Sequence, residues 1–187
     1  MYDLEDFCSD LKTALSTQDG EQARESIRKK LEKLLTNKEF VSTYCHKDAK
    51  IGVHVLYQDD ELGFMVLNHV INKGRKSPPH DHGDSWAIYG QAVGYTDMSE
   101  FERLDNETRE GIAELKMVSE YRLTPGLAGM FGPRQIHAIH FVEGSRFIRV
   151  TGTDLSRITT RKFDMAEGTV TEVPPTSESL GAGGNSA

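Results

Sequence analysis

The apolar positions of the N-terminal stretch recur with a helical period. Leu4, Phe7, Leu11, Ala14 and Leu15 fall three or four apart behind Asp3, a side chain suited to capping a helix start. Ala23, Ile27, Leu31 and Leu34 repeat the spacing, and Gly20 marks a break between two helices. Arg24, Glu25, Arg28, Lys29 and Lys30 occupy the opposite face and read as a solvated surface. Residues 1–46 are therefore expected to be helical, each helix with an apolar stripe that needs a partner.

The period changes near Ile51. Val53, Val55 and Tyr57 alternate with other residues, residues 62–71 form a long β-rich run, and Asp59, Asp60 and Glu61 supply a turn between them. Further strand-like stretches lie at 85–95, 114–123, 135–142, 147–153 and 158–163, with Gly, Pro, Asn or Asp in most intervals. Many short strands without helices between them predict an all-β sandwich or barrel. From Pro174 the chain becomes small and polar, and 174–187 is expected to be a disordered tail. No internal repeat is visible.

Composition narrows the class. The chain has 187 residues, 37% hydrophobic and 27% charged, which suits one domain with one sizeable core. Twenty-nine acidic against twenty-two basic residues leave a net charge of -7, which argues against a nucleic-acid partner. No apolar run approaches the ~20 residues of a bilayer span, so no membrane role is expected. The start, Met1-Tyr2-Asp3-Leu4-Glu5-Asp6, is acidic where an export signal would be basic. Cys8 and Cys45 are then read as reduced, buried thiols of a cytoplasmic protein.

Four of the seven histidines fall in two tight groups. In His80-Asp81-His82, residues i and i+2 of a strand point to one face, so both imidazoles can reach one metal ion. Asp81 between them points the other way and is read as structural. His137 and His140 lie on a later strand-like stretch, and a spacing of three puts them on opposite faces, so only one of them can join the same site. Two histidines from one segment and one from another would cap a metal facially and leave positions open for substrate. Arg149 is the other unusual residue, a cation between Ile148 and Val150. Alternation puts it on one face with Phe147 and Thr151 without saying which face that is.

The motif Gly74-x5-His80-x-His82-x11-Gly94, followed by Pro133-x3-His137, resembles the paired motifs of the cupin superfamily. The resemblance covers residues 51–173. It implies a mainly β fold, a double-stranded β-helix (jelly-roll) barrel preceded by N-terminal helices, as a single domain over residues 1–173. Within the superfamily, the helical start and the stretch Pro79-His80-Asp81-His82-Gly83-Asp84-Ser85-Trp86 resemble the cysteine dioxygenase type (thiol dioxygenase) branch. The glutamate ligand of many cupins falls near Ala87, which cannot ligate. The implied metal set is His80, His82 and His137, an all-histidine triad such as iron(II) dioxygenases have.

Several positions depart from that branch. Its Ser-x-His-x-Tyr relay corresponds to Phe147, Arg149 and Thr151, and its crosslinked Cys–Tyr pair to Ala87 and Thr151. Its carboxylate-binding arginine corresponds to His54, and an asparagine after the third ligand to Phe141. The resemblance therefore implies the scaffold and the metal but not cysteine as substrate. The expected activity is that of a non-haem iron(II) dioxygenase, with Fe2+ or another divalent metal, a small anionic chelating substrate and O2. Arg149, Arg134, His54 and Tyr89 are the candidate substrate contacts, and His140, Trp86 and Thr151 are expected around the ligands. Two other readings of the same barrel are a metal- or ligand-binding module without catalysis and a metal-dependent lyase or isomerase. No oligomeric state follows from the sequence.

Overall fold

The structure, a computed structural model, describes residues 1–176. The helical start resolves into three helices: α1 (Leu4–Thr17), α2 (Gly20–Leu35) and α3 (Lys38–Tyr44). Asp3 caps α1 as expected, in a reciprocal box with Asp6. Gly20 opens α2 with φ +37 instead of lying between the helices. The short α3 was not separated by the period of two stripes. Asn37 starts it by accepting the N–H groups of Glu39 and Phe40.

Eleven strands follow among the described residues: β1 (Gly52–Gln58), β2 (Met65–Val70), β3 (Arg75–Lys76), β4 (Ala87–Val93), β5 (Thr96–Arg103), β6 (Leu115–Leu123), β7 (Ala128–Phe131), β8 (Ile136–Phe141), β9 (Arg146–Thr151), β10 (Thr160–Asp164) and β11 (Thr169–Val173). Every ladder is antiparallel, and the pairs β2·β9, β3·β8, β4·β7 and β5·β6 nest one inside the next. A long hairpin, β2–β5 out and β6–β9 back, is thus rolled into two facing sheets ordered β1-β2-β9-β4-β7 and β3-β8-β5-β6. This is the jelly roll.

Alternation on these strands separates three apolar layers. Val66, Ile88, Ile148 and Val150 face outwards onto Phe7, Leu11, Ile27, Leu31 and Leu34 of the helices. Gly90 lies under α2, where a Cβ would meet Leu31 and Leu35 side chains at 2.7 Å. Between the sheets lie Tyr89, Met98, Phe131, Ile139, Phe141 and Phe147. Phe101, Ile136 and Ala138 point out of the second sheet against Phe163 and Ala113.

Cys8 and Cys45 are free and buried, and burial pushes their thiols up to about 12 and about 11. No helix of the described residues is long and apolar enough to cross a membrane. Of the stretch expected to be disordered, 174–176 are described, with Thr176 donating its N–H to the Ser156 carbonyl, while 177–187 lie outside the described residues.

Candidate metal centre

The segment 77–82 is an extended loop between β3 and β4. It is held at one bridge on each side. His80 and His137 exchange both backbone hydrogen bonds at 2.9 Å, and on the other side Asp81 N–H donates to the Arg161 carbonyl at 3.0 Å. Asp81 is fully buried and accepts the N–H groups of Gly83 and Arg161, and the Arg161 guanidinium at 2.6 Å. With Asp81 turned to β10, His80 and His82 turn together towards β8. There the imidazoles of His80, His82 and His137 converge, with one nitrogen of each within 4.8 Å of the others.

The ring orientations suit ligation. His80 Nδ1 donates to the Pro78 carbonyl at 3.0 Å, and His137 Nδ1 to the Gln135 carbonyl at 3.1 Å. Each of those bonds leaves an Nε2 lone pair for a metal. Phe131 stacks on the His137 ring at 3.9 Å and 12°. His137 Nε2 is buried with no hydrogen-bond partner, which a metal at that position would satisfy. His82 Nε2 lies 3.3 Å from the Tyr89 hydroxyl. Desolvation pulls all three imidazoles below their ordinary range, His137 to about 3. They are therefore neutral at physiological pH, the form that ligates. The three residues fit a divalent metal, as ligands without formal charge.

Register places the other residues. Leu67, Arg149 and Tyr89 form one row across β2, β9 and β4, so all three face the barrel interior with the triad. Tyr89 is thus beside His82 and Arg149 beside Tyr89. Burial raises the pKa of the Tyr89 hydroxyl, and the Arg149 charge works against that rise.

The structure places the remaining candidates as follows. His54 pairs with Asn68 and Ile148 in the next row, on the helix-facing side, and its Nε2 meets the Lys50 carbonyl. Arg134 adopts a left-handed φ of 58 on an exposed turn and pairs with exposed Asp84 at 2.9 Å, away from the interior. His140 is half exposed on the outer face, 3.8 Å from Asp97, as a spacing of three from His137 requires. Trp86 packs on the helix-side cluster and over Gly152. Thr151 does face inwards, but its hydroxyl donates to the Thr153 carbonyl and not to a ligand.

Two interior residues escaped the sequence reading. His69 stands two positions beyond Leu67, so it faces inwards. It is 8% exposed, stacked on Phe147 at 4.5 Å and 15°. Its place in the period-two run Met65, Leu67, His69 was the available signal. Glu100 pairs in register with His137, on a strand whose many polar residues hid it.

No family model and no curated protein matches the chain. Solved structures of similar fold include a cupin superfamily protein from Desulfitobacterium hafniense, 15% identical over 56% of this chain and 79% of that one (TM-score 0.41). KdgF from Halomonas sp. is 17% identical over 53% and 74% (TM-score 0.39). The cupin domain of Schizosaccharomyces pombe Cnp3 is 9% identical over 57% and 66% (TM-score 0.43). The strand order and the triad, not these likenesses, define the fold and the site.

Proposed function

We propose that this protein is a metal-dependent enzyme of the cupin type, a non-haem iron(II) dioxygenase acting on a small anionic substrate that chelates the metal. The observation that carries the reading is the donor set: three neutral imidazoles inside a jelly roll, with no carboxylate among them. Bound iron(II) would keep its full 2+ charge and open positions, which favours anionic chelating substrates and O2 chemistry.

The chain's own residues supply the rest. The Pro78 and Gln135 carbonyls hold the Nδ1 protons of His80 and His137, so each ring presents its lone pair inwards. Phe131, Phe147 and Ile139 line the interior and exclude water from the reacting groups. Tyr89 brings a protonated hydroxyl to within 3.3 Å of His82 Nε2, where it would donate to a group held at the triad. The relay positions of the thiol dioxygenase branch are taken by Phe147, Arg149 and Thr151, so L-cysteine is expected to be a poor substrate.

Metal content and O2 uptake test the reading together. The parent protein should bind one iron(II) per chain, and His82→Ala and His137→Ala should each lose it. The anaerobically loaded parent should consume O2 with a member of a panel of thiols, diketones and catechols. Full metal occupancy in either variant removes that histidine from the ligand set. Iron binding with no O2 uptake over the panel favours the non-catalytic module.

A further inference from the structure

Below the triad, the barrel interior holds a second polar pair. Arg149 Nε and His69 Nε2 are buried and have no hydrogen-bond partner. The two residues face inwards on adjacent strands, because Leu67 pairs with Arg149 and His69 with Phe147. Such diagonal neighbours sit about 7–8 Å apart at Cα, within reach of an arginine side chain. The His69 ring stacks on Phe147, Phe147 lies 6.0 Å from the Tyr89 ring, and Tyr89 meets His82. The pair is therefore continuous with the metal site without touching it.

We propose that Arg149 and His69 form an anion subsite inside the barrel, one that takes a carboxylate and holds it beside the triad. A cation in a layer of Leu67, Phe147 and Ile139 is costly unless it is paired. Among the described residues Arg149 makes no ion pair, and its polar neighbour is the Tyr89 hydroxyl; the carboxylates of Asp81 and Asp97 are taken by Arg161 and Arg122, and that of Glu100, on β5, lies against the Tyr121 hydroxyl. Yet Arg149 keeps some accessible surface between fully buried Ile148 and Val150. Since it faces inwards, that surface opens onto the interior.

A carboxylate there accepts from Arg149 Nε–H on one side and from the Nε2–H tautomer of His69 on the other. Burial, reinforced by the Arg149 charge, holds His69 neutral, so it serves as a donor of defined size and not as a second cation. The substrate class this assigns is a short carboxylic acid whose other end carries the metal-binding donor. That assignment rests on the iron reading, whereas the anion subsite itself requires no metal.

The probe is 13C-labelled propionate, titrated by NMR into the chelator-treated full-length protein. Propionate should bind, and its neutral isostere propionamide should not. Arg149→Met should weaken binding at least about tenfold, the effect of one charge-assisted hydrogen bond, and His69→Phe, which keeps the stack on Phe147, by about threefold or more. Circular dichroism checks that each variant is folded. If Arg149→Met is not, Arg149→Lys keeps the charge without the planar fork and should still weaken binding several-fold. No binding by the parent, equal competition by propionamide, or parent-like affinity in the folded variants overturns the proposal. A parent that binds propionate but takes up no iron refutes the dioxygenase reading and supports the anion subsite.

Discussion

Replacing Arg161 by Met should loosen the metal centre without touching it. Asp81 is fully buried between His80 and His82, and three donors hold it: Gly83 N–H at 3.0 Å, Arg161 N–H at 3.0 Å and Arg161 Nε at 2.6 Å. The substitution removes the charged donor and leaves a buried carboxylate with two backbone bonds. A hydrogen bond to a charged group contributes about 1.5–3 kcal/mol, and breaking a buried ion pair costs about 3–5 kcal/mol. The Arg161 side chain is 18% exposed, so water replaces part of the lost contact, and the lower range applies. A loss of about 2 kcal/mol in a domain of this size lowers Tm by about 4–8 °C. The same loss frees the segment that aims two of the three ligands, so affinity for a probe metal such as Co2+ should fall about 10–100-fold. Thermal melts and competition with a chromogenic chelator measure the two effects. If the pair is the cause, Asp81→Asn combined with Arg161→Met should cost little more than either alone. A Tm within about 1 °C of the parent, together with unchanged metal affinity, refutes the reasoning.

Two further outcomes are expected from the packing around the barrel. Leu31 is fully buried where α2 meets Gly90, and Leu31→Ala should cost about 2–5 kcal/mol in urea unfolding; a change under about 1 kcal/mol would show that the helices are not docked there. Asp59 joins Lys12 of α1 to the turn before β2, and Lys12 with the Leu62 and Glu61 N–H groups holds its carboxyl well below the ordinary range. A carboxyl lowered on folding contributes stability that is present above its unfolded value of about 3.9 and is lost as pH falls through the folded value. Asp59→Asn should therefore be less stable than the parent at pH 7, with the gap in urea midpoint narrowing below about pH 4; an equal gap at pH 7 and pH 3 would sink the linkage.

Strands whose burial follows a simple pattern were legible in the sequence. β2, β4, β8 and β9 stood out because one or both faces are apolar. β5 did not, since Asp97, Glu100 and Glu102 interrupt a strand whose apolar contacts come from Met98 and Phe101 on opposite faces. β3 and β7 span two and four residues, too short for any period to register. The short α3 rests on the side chain of Asn37, a local hydrogen bond that two apolar stripes do not announce.

The site shows where pattern alone stops. A spacing of three separated His137 from His140 without any structure, because a pleat alternates whatever it packs against. The face of Arg149 was different: alternation ties Phe147, Arg149 and Thr151 together, but only pairing with β2 and β4 makes their side the interior. The same pairing turns His54 towards the helices and His69 towards the interior, although both lie on strands that the alternation found. A correspondence of positions along the chain puts His54 where the resemblance expects a substrate-binding cation. Register puts Arg149 in the same interior row as Tyr89 and His69 on the interior face beside it. Cross-strand register is a property of distant pairs, invisible to any local period, and the residues whose face depends on it are the ones that only the structure could place.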